Sequence, residues 1–599
     1  MRGKRPSVDE ATAISMRDVM QKRGPDGAGF WFHENSMLAH RRLAIRDVTD
    51  AGAQPMATPD GRFQIVYNGE LYNDKELRAE LLGIGAVPGG FRSDCDTETI
   101  LWAFATWGQD TWNRLRGMFS IGVYDTVAHR LSLARDPLGI KPLYYHLGVG
   151  EVVFASEVNA ILAHPNVTPE PDMAMASAYL STVRSVMGHR TMFEGVHAMR
   201  PGEALIFDAT SGDVGLFKHH GGVAVAGQED TELLEHTRLM VADSAARHLA
   251  SDVKVDAFLS GGLDSTVLCR EASLRTGGLH AWCSSLERGD GGSEDASHAC
   301  EAADFLGIEH SEISIGRNRF VSRWTDMVSE LGVPLSTPNE IAIHDLCLAV
   351  RKSGTKVILS GEGADEIFGG YEMTLQAAAD FELDPTDTRG GGQYQLDSSA
   401  WVAPHLKERL LTTRSFKDAG ADAWVHQHYG ETFGACQKEM GVEGTALDAH
   451  LRFLRHQNLP GLLQRLDTSS MLASVEGRTP FADVEILSFA EALPMVSKFQ
   501  PSVNNGTSTL AVAVTGKLAL RRAYKGLIPT SIETRAKHSF PLPFESWLAD
   551  SAETLKRSDF AREFFAADMR MAVAADPSTH WRFAWPMINL SLWGQHWWG

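Results

Sequence analysis

The chain has 599 residues, too many for one hydrophobic core, so two or more domains are expected. Hydrophobic content of 43% and charged content of 22% are those of an ordinary globular protein, and a formal net charge of −20 argues against a broad nucleic-acid-binding face. Six scattered cysteines form no Cys-x-x-Cys pair and no run of eighteen apolar residues exists, so a cytoplasmic protein with buried, reduced thiols and no membrane partner is expected.

Residues 1–207 read as a layered domain that mixes helices with short strands. A short helix covers 16–20 and leads into the turn-forming cluster Arg23-Gly24-Pro25-Asp26-Gly27. Strands are expected at 36–40, 43–45 and 63–67, with Asn68-Gly69 as a turn between apolar runs. A helix is expected at 97–107, and 118–124 with 130–134 read as a hairpin around Asp125. Residues 208–228 are rich in Gly, His and Val without clear periodicity, and they are taken as the junction to a second domain, 229–599.

That second domain opens with an amphipathic helix at 232–249 and a strand at 253–259. The strand runs into Ser260-Gly261-Gly262-Leu263-Asp264-Ser265 and then a helix at 266–274. A strand that breaks into small residues before a helix presents backbone N–H groups to an anion, and Ser260 and Ser265 add hydroxyl donors. No Gly-Lys-Ser/Thr follows, so it is not a Walker A loop, and the dinucleotide glycine pattern is absent too.

Strand and helix then alternate through 279–285, 296–305, 309–315, 340–352 and 356–359, which predicts a parallel, doubly wound sheet binding ligands at its strand C-termini. The last of these strands enters a second dense loop, Ser360-Gly361-Glu362-Gly363-Ala364-Asp365-Glu366. Two acid-bearing glycine loops can meet a triphosphate only through a divalent cation. Mg2+ fits, with Asp264 and Asp365 as its ligands. Residues 381–444 say less: glycines near Gly390 suggest a mobile loop, and 407–415 could be helical. The tryptophans of 585–593 read as core packing.

The first loop resembles the pyrophosphate loop of ATP pyrophosphatases. The first 207 residues resemble the glutaminase domain of class II glutamine amidotransferases as found in asparagine synthetases. The matching segments include His40-Arg41-Arg42-Leu43, Tyr67-Asn68-Gly69-Glu70-Leu71-Tyr72-Asn73, Asp96-Thr97-Glu98 and Ala134-Arg135-Asp136-Pro137-Leu138-Gly139-Ile140-Lys141-Pro142. Arg465-Leu466-Asp467-Thr468, Glu476-Gly477-Arg478, 517–523 and Arg535-Ala536-Lys537-His538 continue the likeness. It covers nearly the whole chain, least well over 381–460.

The resemblance implies a fold pair: an α+β layered domain of the Ntn-hydrolase type and an α/β doubly wound ATP-pyrophosphatase domain. It implies an ATP-dependent synthetase that activates a carboxylate, aspartate by default, as an acyl adenylate, releases pyrophosphate and transfers ammonia. ATP and pyrophosphate would lie on Ser260, Gly261, Gly262, Asp264, Ser265, Ser360 and Gly361. Lys537 would stabilise departing pyrophosphate, and Glu362 would accept a proton from the amine. β-Lactam-forming relatives carry a tyrosine at the Glu362 position, paired with a glutamate like Glu476. The family often forms dimers, so a homodimer is expected.

In the first domain Arg42 would hold the glutamine carboxylate, Asp96 its α-amine, and Asn68 with Gly69 the oxyanion. The family begins with a catalytic cysteine, whereas this chain begins Met1-Arg2-Gly3-Lys4 with no cysteine before Cys95, read as a bystander. The expectation is therefore synthesis from free ammonia, or from glutamine if the true start lies upstream. An intramolecular lactam synthetase and a catalytically silent regulatory paralogue are the alternatives.

Overall fold

The computed structural model describes residues 9–34, 36–219, 230–287, 294–440, 444–501, 516–536 and 542–599. The first domain opens with the helix Glu10–Val19 and a hairpin of β1 (Gly27–His33) and β2 (Ser36–Arg42). Then come β3 (Met56–Ala57), β4 (Phe63–Leu71), β5 (Gly117–Asp125) and β6 (Arg130–Arg135), followed by β7 (Tyr144–Gly148) and β8 (Glu151–Ala155). The short strands β9 (Val186–Met187), β10 (Arg190–Thr191) and β11 (Val196–Ala198) precede β12 (Glu203–Asp208) and β13 (Val214–Lys218). They form a six-stranded sheet, β13-β12-β6-β5-β4-β3, and a five-stranded one, β8-β7-β11-β10-β9.

Strand period explains the layering. Ile65 and Tyr67 of β4 face the helix Asp96–Trp107 through Ile100, Leu101 and Phe104. Val66 points the other way, into a cluster with Tyr145 and Phe154 of the second sheet. β4 is thus buried on both faces.

Several expectations change here. Asn68 and Gly69 are not a turn: they sit inside β4, paired with Ser120 and Phe119. Glycine is required there because a Cβ would lie 2.0 Å from the Met118 carbonyl oxygen, so close strand approach, not chain reversal, placed the dipeptide. Residues 43–45 form no strand, since Arg42 ends β2. Within the expected junction, β13 pairs with β12 along five residues and extends the first domain's sheet.

The second domain carries β14 (Val255–Phe258), β15 (His280–Leu286), β16 (Glu309–Ile315), β17 (Val357–Leu359) and β18 (Glu476–Arg478). All four pairings are parallel, in the order β16-β15-β14-β17-β18. The order reverses between β14 and β17, and a ligand crevice opens outside such a switch point. Both acid-bearing loops leave those two strands.

Residues 381–444 are largely helical. Residues 384–390 form an irregular connection that ends at Gly390, and Gly391 and Gly392 begin the helix Gly391–Ser399, where Phe433 and the Tyr429 backbone leave no room for a Cβ. Residues 407–415 split into Lys407–Leu410 and Thr413–Asp418. The helix Ala446–Leu472, opened by a Thr445/Asp448 capping box, runs 27 residues between the domains. Trp585 and Trp593 of the last helix, Trp581–Trp598, are fully buried, and one apolar cluster joins them to Tyr144 and Tyr179 of the first domain. Among the described residues no helix is long and apolar enough to cross a membrane. Five cysteines are buried and Cys300 is exposed, all of them free.

Candidate active site

The Ser260 loop is tight. Ser260 N–H donates to Ser265 Oγ at 3.1 Å, and Ser265 Oγ donates to the Gly262 carbonyl at 3.2 Å. Gly261 sits at φ +70°, where a Cβ would collide with the Asp295 and Ala299 backbone. Asp264 falls in the first turn of the helix Leu263–Ser273. The second loop closes on it: a Cβ on Gly361 would lie 3.1 Å from Asp264 Cβ. Glycine at that position lets the two loops touch.

Lys517 joins them. Its Nζ lies 2.5 Å from Asp264 Oδ2 and 2.7 Å from Asp365 Oδ1, and the residue is 4% exposed. Its backbone is left-handed, at φ 53°, which directs the side chain out of the start of the helix Leu518–Ala523. Two carboxylates already gathered about one cation suit a divalent ion. Among the described residues no group of three or more His, Cys, Asp or Glu could hold a metal. Phosphate oxygens and water would therefore complete the shell, the arrangement Mg2+ prefers.

Lys537 lies outside the described residues. Arg535, two positions earlier, donates to the Gly261 carbonyl at 3.1 Å and to Asp295 Oδ1 at 2.5 Å.

Glu362 accepts from Arg465 Nη2 at 2.5 Å, and Arg465 Nη1 donates to Thr337 Oγ1 at 3.1 Å. Glu366, beneath it, accepts from the Tyr371 hydroxyl, and burial together with the neighbouring Asp365 charge raises its pKa to about 7. Glu476 belongs elsewhere. It pairs with Val357 at the start of β17, two residues short of the strand end that leads to Ser360. Arg478 Nε donates to it at 2.8 Å and Lys141 Nζ stands at 3.8 Å. Glu362 and Glu476 are therefore held by different cations, Arg465 for the first and Arg478 with Lys141 for the second.

Arg42, Asn68, Gly69 and Asp96 line one cavity of ≈ 410 Å³ in the first domain, which Met471 and Glu476 of the second close from the other side. Asp96 accepts from the Leu71 N–H at 2.9 Å and the Tyr67 hydroxyl at 3.1 Å, and burial raises its pKa. Arg42 donates to the carbonyls of Thr49 at 2.7 Å and Arg46 at 3.2 Å, and to that of Asp47. Asn68 Nδ2 reaches Ser156 Oγ at 3.5 Å. Cys95 lines the same cavity, but burial and the Asp96 charge push its thiol up to about 12, so it stays protonated and weakly nucleophilic.

Buried ion pairs tie this cavity to the synthetase side. Asp467 accepts from Arg23 at 2.7 Å and Lys141 at 3.2 Å, and Glu70 accepts from Arg478 at 2.8 Å and Arg46 at 3.0 Å. Sequence reasoning assigned no role to Lys517, Arg465 or Asp467. They sat within recognised segments, yet their partners lie more than a hundred residues away in the chain.

Comparison with known proteins agrees with this division. The model of the glutamine amidotransferase domain matches residues 3–217 and that of asparagine synthase residues 236–595. The chain is 29% identical over 556 residues to "Asparagine synthetase [glutamine-hydrolyzing] 3" of Bacillus subtilis, covering 89% of this chain and 84% of that one. It is 28% identical to "Asparagine synthetase [glutamine-hydrolyzing] 1" of the same organism, covering 96% and 92%. With "Asparagine synthetase B [glutamine-hydrolyzing]" of Escherichia coli it shares 31% identity over 60% of this chain and 61% of that protein.

Proposed function

The chain belongs to the asparagine synthase family, and on that premise we propose that it activates aspartate with MgATP and aminates the product. It is a ligase that forms a C–N bond by ATP-dependent amide synthesis with transfer of ammonia. The lactam-forming and silent-paralogue readings are not favoured, since these relatives carry the name of asparagine synthetases. A cytoplasmic location and a homodimer belong to the proposal, as does glutamine as a second nitrogen source.

A free carboxylate resists attack by an amine, whereas a mixed anhydride with AMP has a good leaving group. The N–H groups that open the helix Leu263–Ser273, with Ser260 and Ser265, suit the phosphates. Asp264 and Asp365 would hold Mg2+, which neutralises triphosphate charge when bound. Lys517 places an ammonium beside the charge that grows on pyrophosphate as it departs. Glu362, oriented by Arg465, is the carboxylate that takes the proton ammonia loses on attack.

The observation that carries the reading is the bridge of Lys517 between the two acid-bearing loops. Product analysis tests it. Incubation with ATP, Mg2+, aspartate and ammonium should yield asparagine, AMP and pyrophosphate in equal amounts; ADP with orthophosphate would sink it.

A further inference from the structure

The cavity bordered by Arg42 and Asp96 extends well past them, along the whole of β2 and the whole of β8. Every residue from Ser36 to Arg42 and from Glu151 to Ala155 lines it. Among the described residues β2 pairs only with β1 and β8 only with β7, so each strand keeps a free edge. The floor of the cavity is the six-stranded sheet. A Cβ on Gly122 of β5 would lie 2.8 Å from the Phe154 ring, and Asn68, paired with Ser120 of β5, reaches Ser156 just past β8 at 3.5 Å. The roof is the helix Glu10–Val19, through Ala13 and Met16, with Ala160 of the helix Val158–Leu162.

Two residues close each hairpin, between His33 and Ser36 and between Gly148 and Glu151. Such a closing pair exchanges both backbone hydrogen bonds, and the exchange recurs at every second pair. Ser36, Leu38, His40 and Arg42 therefore turn their N–H and C=O groups to β1, and Glu151, Val153 and Ala155 turn theirs to β7. The backbone groups of Met37, Ala39 and Arg41 point out of β2 on one wall, and those of Val152 and Phe154 out of β8 on the other. Backbone polar groups enclosed in a protein need partners. Both walls present them at the two-residue spacing of a strand, which a lipid chain or a helix would leave unpaired.

We propose that this slot binds an extended, apolar segment of a partner polypeptide as an added β-strand. The segment joins β1-β2 to β8-β7-β11-β10-β9 in a single sheet. Its side chains are uncharged on both faces, because the roof residues above are apolar and Leu38, Val152 and Phe154 share one apolar cluster with Val66 and Tyr124 of the floor. The inference concerns the first domain alone and does not depend on the adenylation chemistry.

A fluorescein-labelled peptide of three Val-Ala repeats, with a lysine at each end, probes the full chain by fluorescence anisotropy. It should bind saturably, one per chain, and slow amide hydrogen exchange over residues 36–42 and 151–155. Methylating alternate backbone nitrogens of the peptide keeps its side chains and removes donors, and should weaken binding more than about 10-fold. Ala39→Pro and Val152→Pro each put a ring in place of one slot-facing N–H, where an edge strand tolerates proline. Each should weaken binding more than about 10-fold, with little change in unfolding temperature. Equal affinity for the methylated and unmethylated peptides, full affinity in both proline variants, or unchanged exchange over both strands would overturn the proposal. So would the lack of saturable binding up to about 1 mM peptide. Binding that appears only in a variant starting at Asp9 would give the slot to this chain's own residues and overturn the partner.

Discussion

Arg465 and Asp467 stand two residues apart on the helix Ala446–Leu472 and serve different domains. Arg465 holds Glu362 at 2.5 Å beside the second acid-bearing loop, while Asp467 takes Arg23 at 2.7 Å and Lys141 at 3.2 Å from the amidotransferase-like domain. A change in how the first domain grips Asp467 is thus two residues from Arg465, which holds the group proposed to receive ammonia's proton. The helix is a rigid connection between the cavity and the adenylation site.

Asp467→Ala should destabilise the protein strongly. It leaves Arg23 and Lys141 buried without their carboxylate, a loss on the order of 3–5 kcal/mol. Although burial opposes it, the charges of Arg23 and Lys141 hold the Asp467 carboxyl below its ordinary range. A carboxylate depressed in this way stabilises the fold above its unfolded pKa, and that contribution fades as pH falls through the folded value. The gap in unfolding temperature between wild type and Asp467→Asn should therefore be full at pH 7 and shrink below about pH 4. A gap constant with pH would mean that Asp467 acts through packing alone.

Lys517→Met should lower the rate of adenylation by roughly 10²–10³. It also leaves Asp264 and Asp365 facing each other without their shared cation. Mg2+ titration followed by thermal unfolding should then raise the melting temperature of Lys517→Met more than that of wild type. Asp264→Asn and Asp365→Asn should each abolish that response along with pyrophosphate exchange. If both retained it, the metal would have to be held elsewhere.

Glu362→Gln should separate the two half-reactions. Amide formation should fall by about 10²–10⁴, the usual weight of a positioned general base, while pyrophosphate exchange falls far less. Equal losses in both would make Glu362 a binding residue.

Cys95 should resist alkylation. With its thiol pushed up to about 12 by burial and the Asp96 charge, its thiolate fraction at pH 8 is about a thousandfold lower than that of an unperturbed thiol. Brief iodoacetamide treatment followed by peptide mass mapping should label exposed Cys300 and spare Cys95. Fast labelling of Cys95 would restore it as a candidate nucleophile.

Local features were the readable ones. The apolar runs before Ser260 and Ser360 are strands of the parallel sheet, and the hairpin about Asp125 pairs in register. Such elements announce themselves within a dozen residues. Asn68-Gly69 misled because the same dipeptide suits a tight turn and a close strand contact, and only the Met118 carbonyl on the neighbouring strand distinguishes them. For Glu476 the motif gives a residue type, while its pairing with Val357 at the start of β17 is set by strand register, which no local motif carries. Lys517 and Asp467 make their contacts 253 and 444 residues away, beyond any periodicity.

The most direct test of the central claim follows oxygen. With aspartate labelled with ¹⁸O in its side-chain carboxylate, attack of that carboxylate on the α-phosphorus and later release of AMP by ammonia must leave one labelled oxygen in the AMP phosphate. Mass spectrometry of the nucleotide and phosphate products should find one ¹⁸O in AMP and none in pyrophosphate. Label in orthophosphate, formed together with ADP, would contradict the adenylate and with it the role given to both acid-bearing loops.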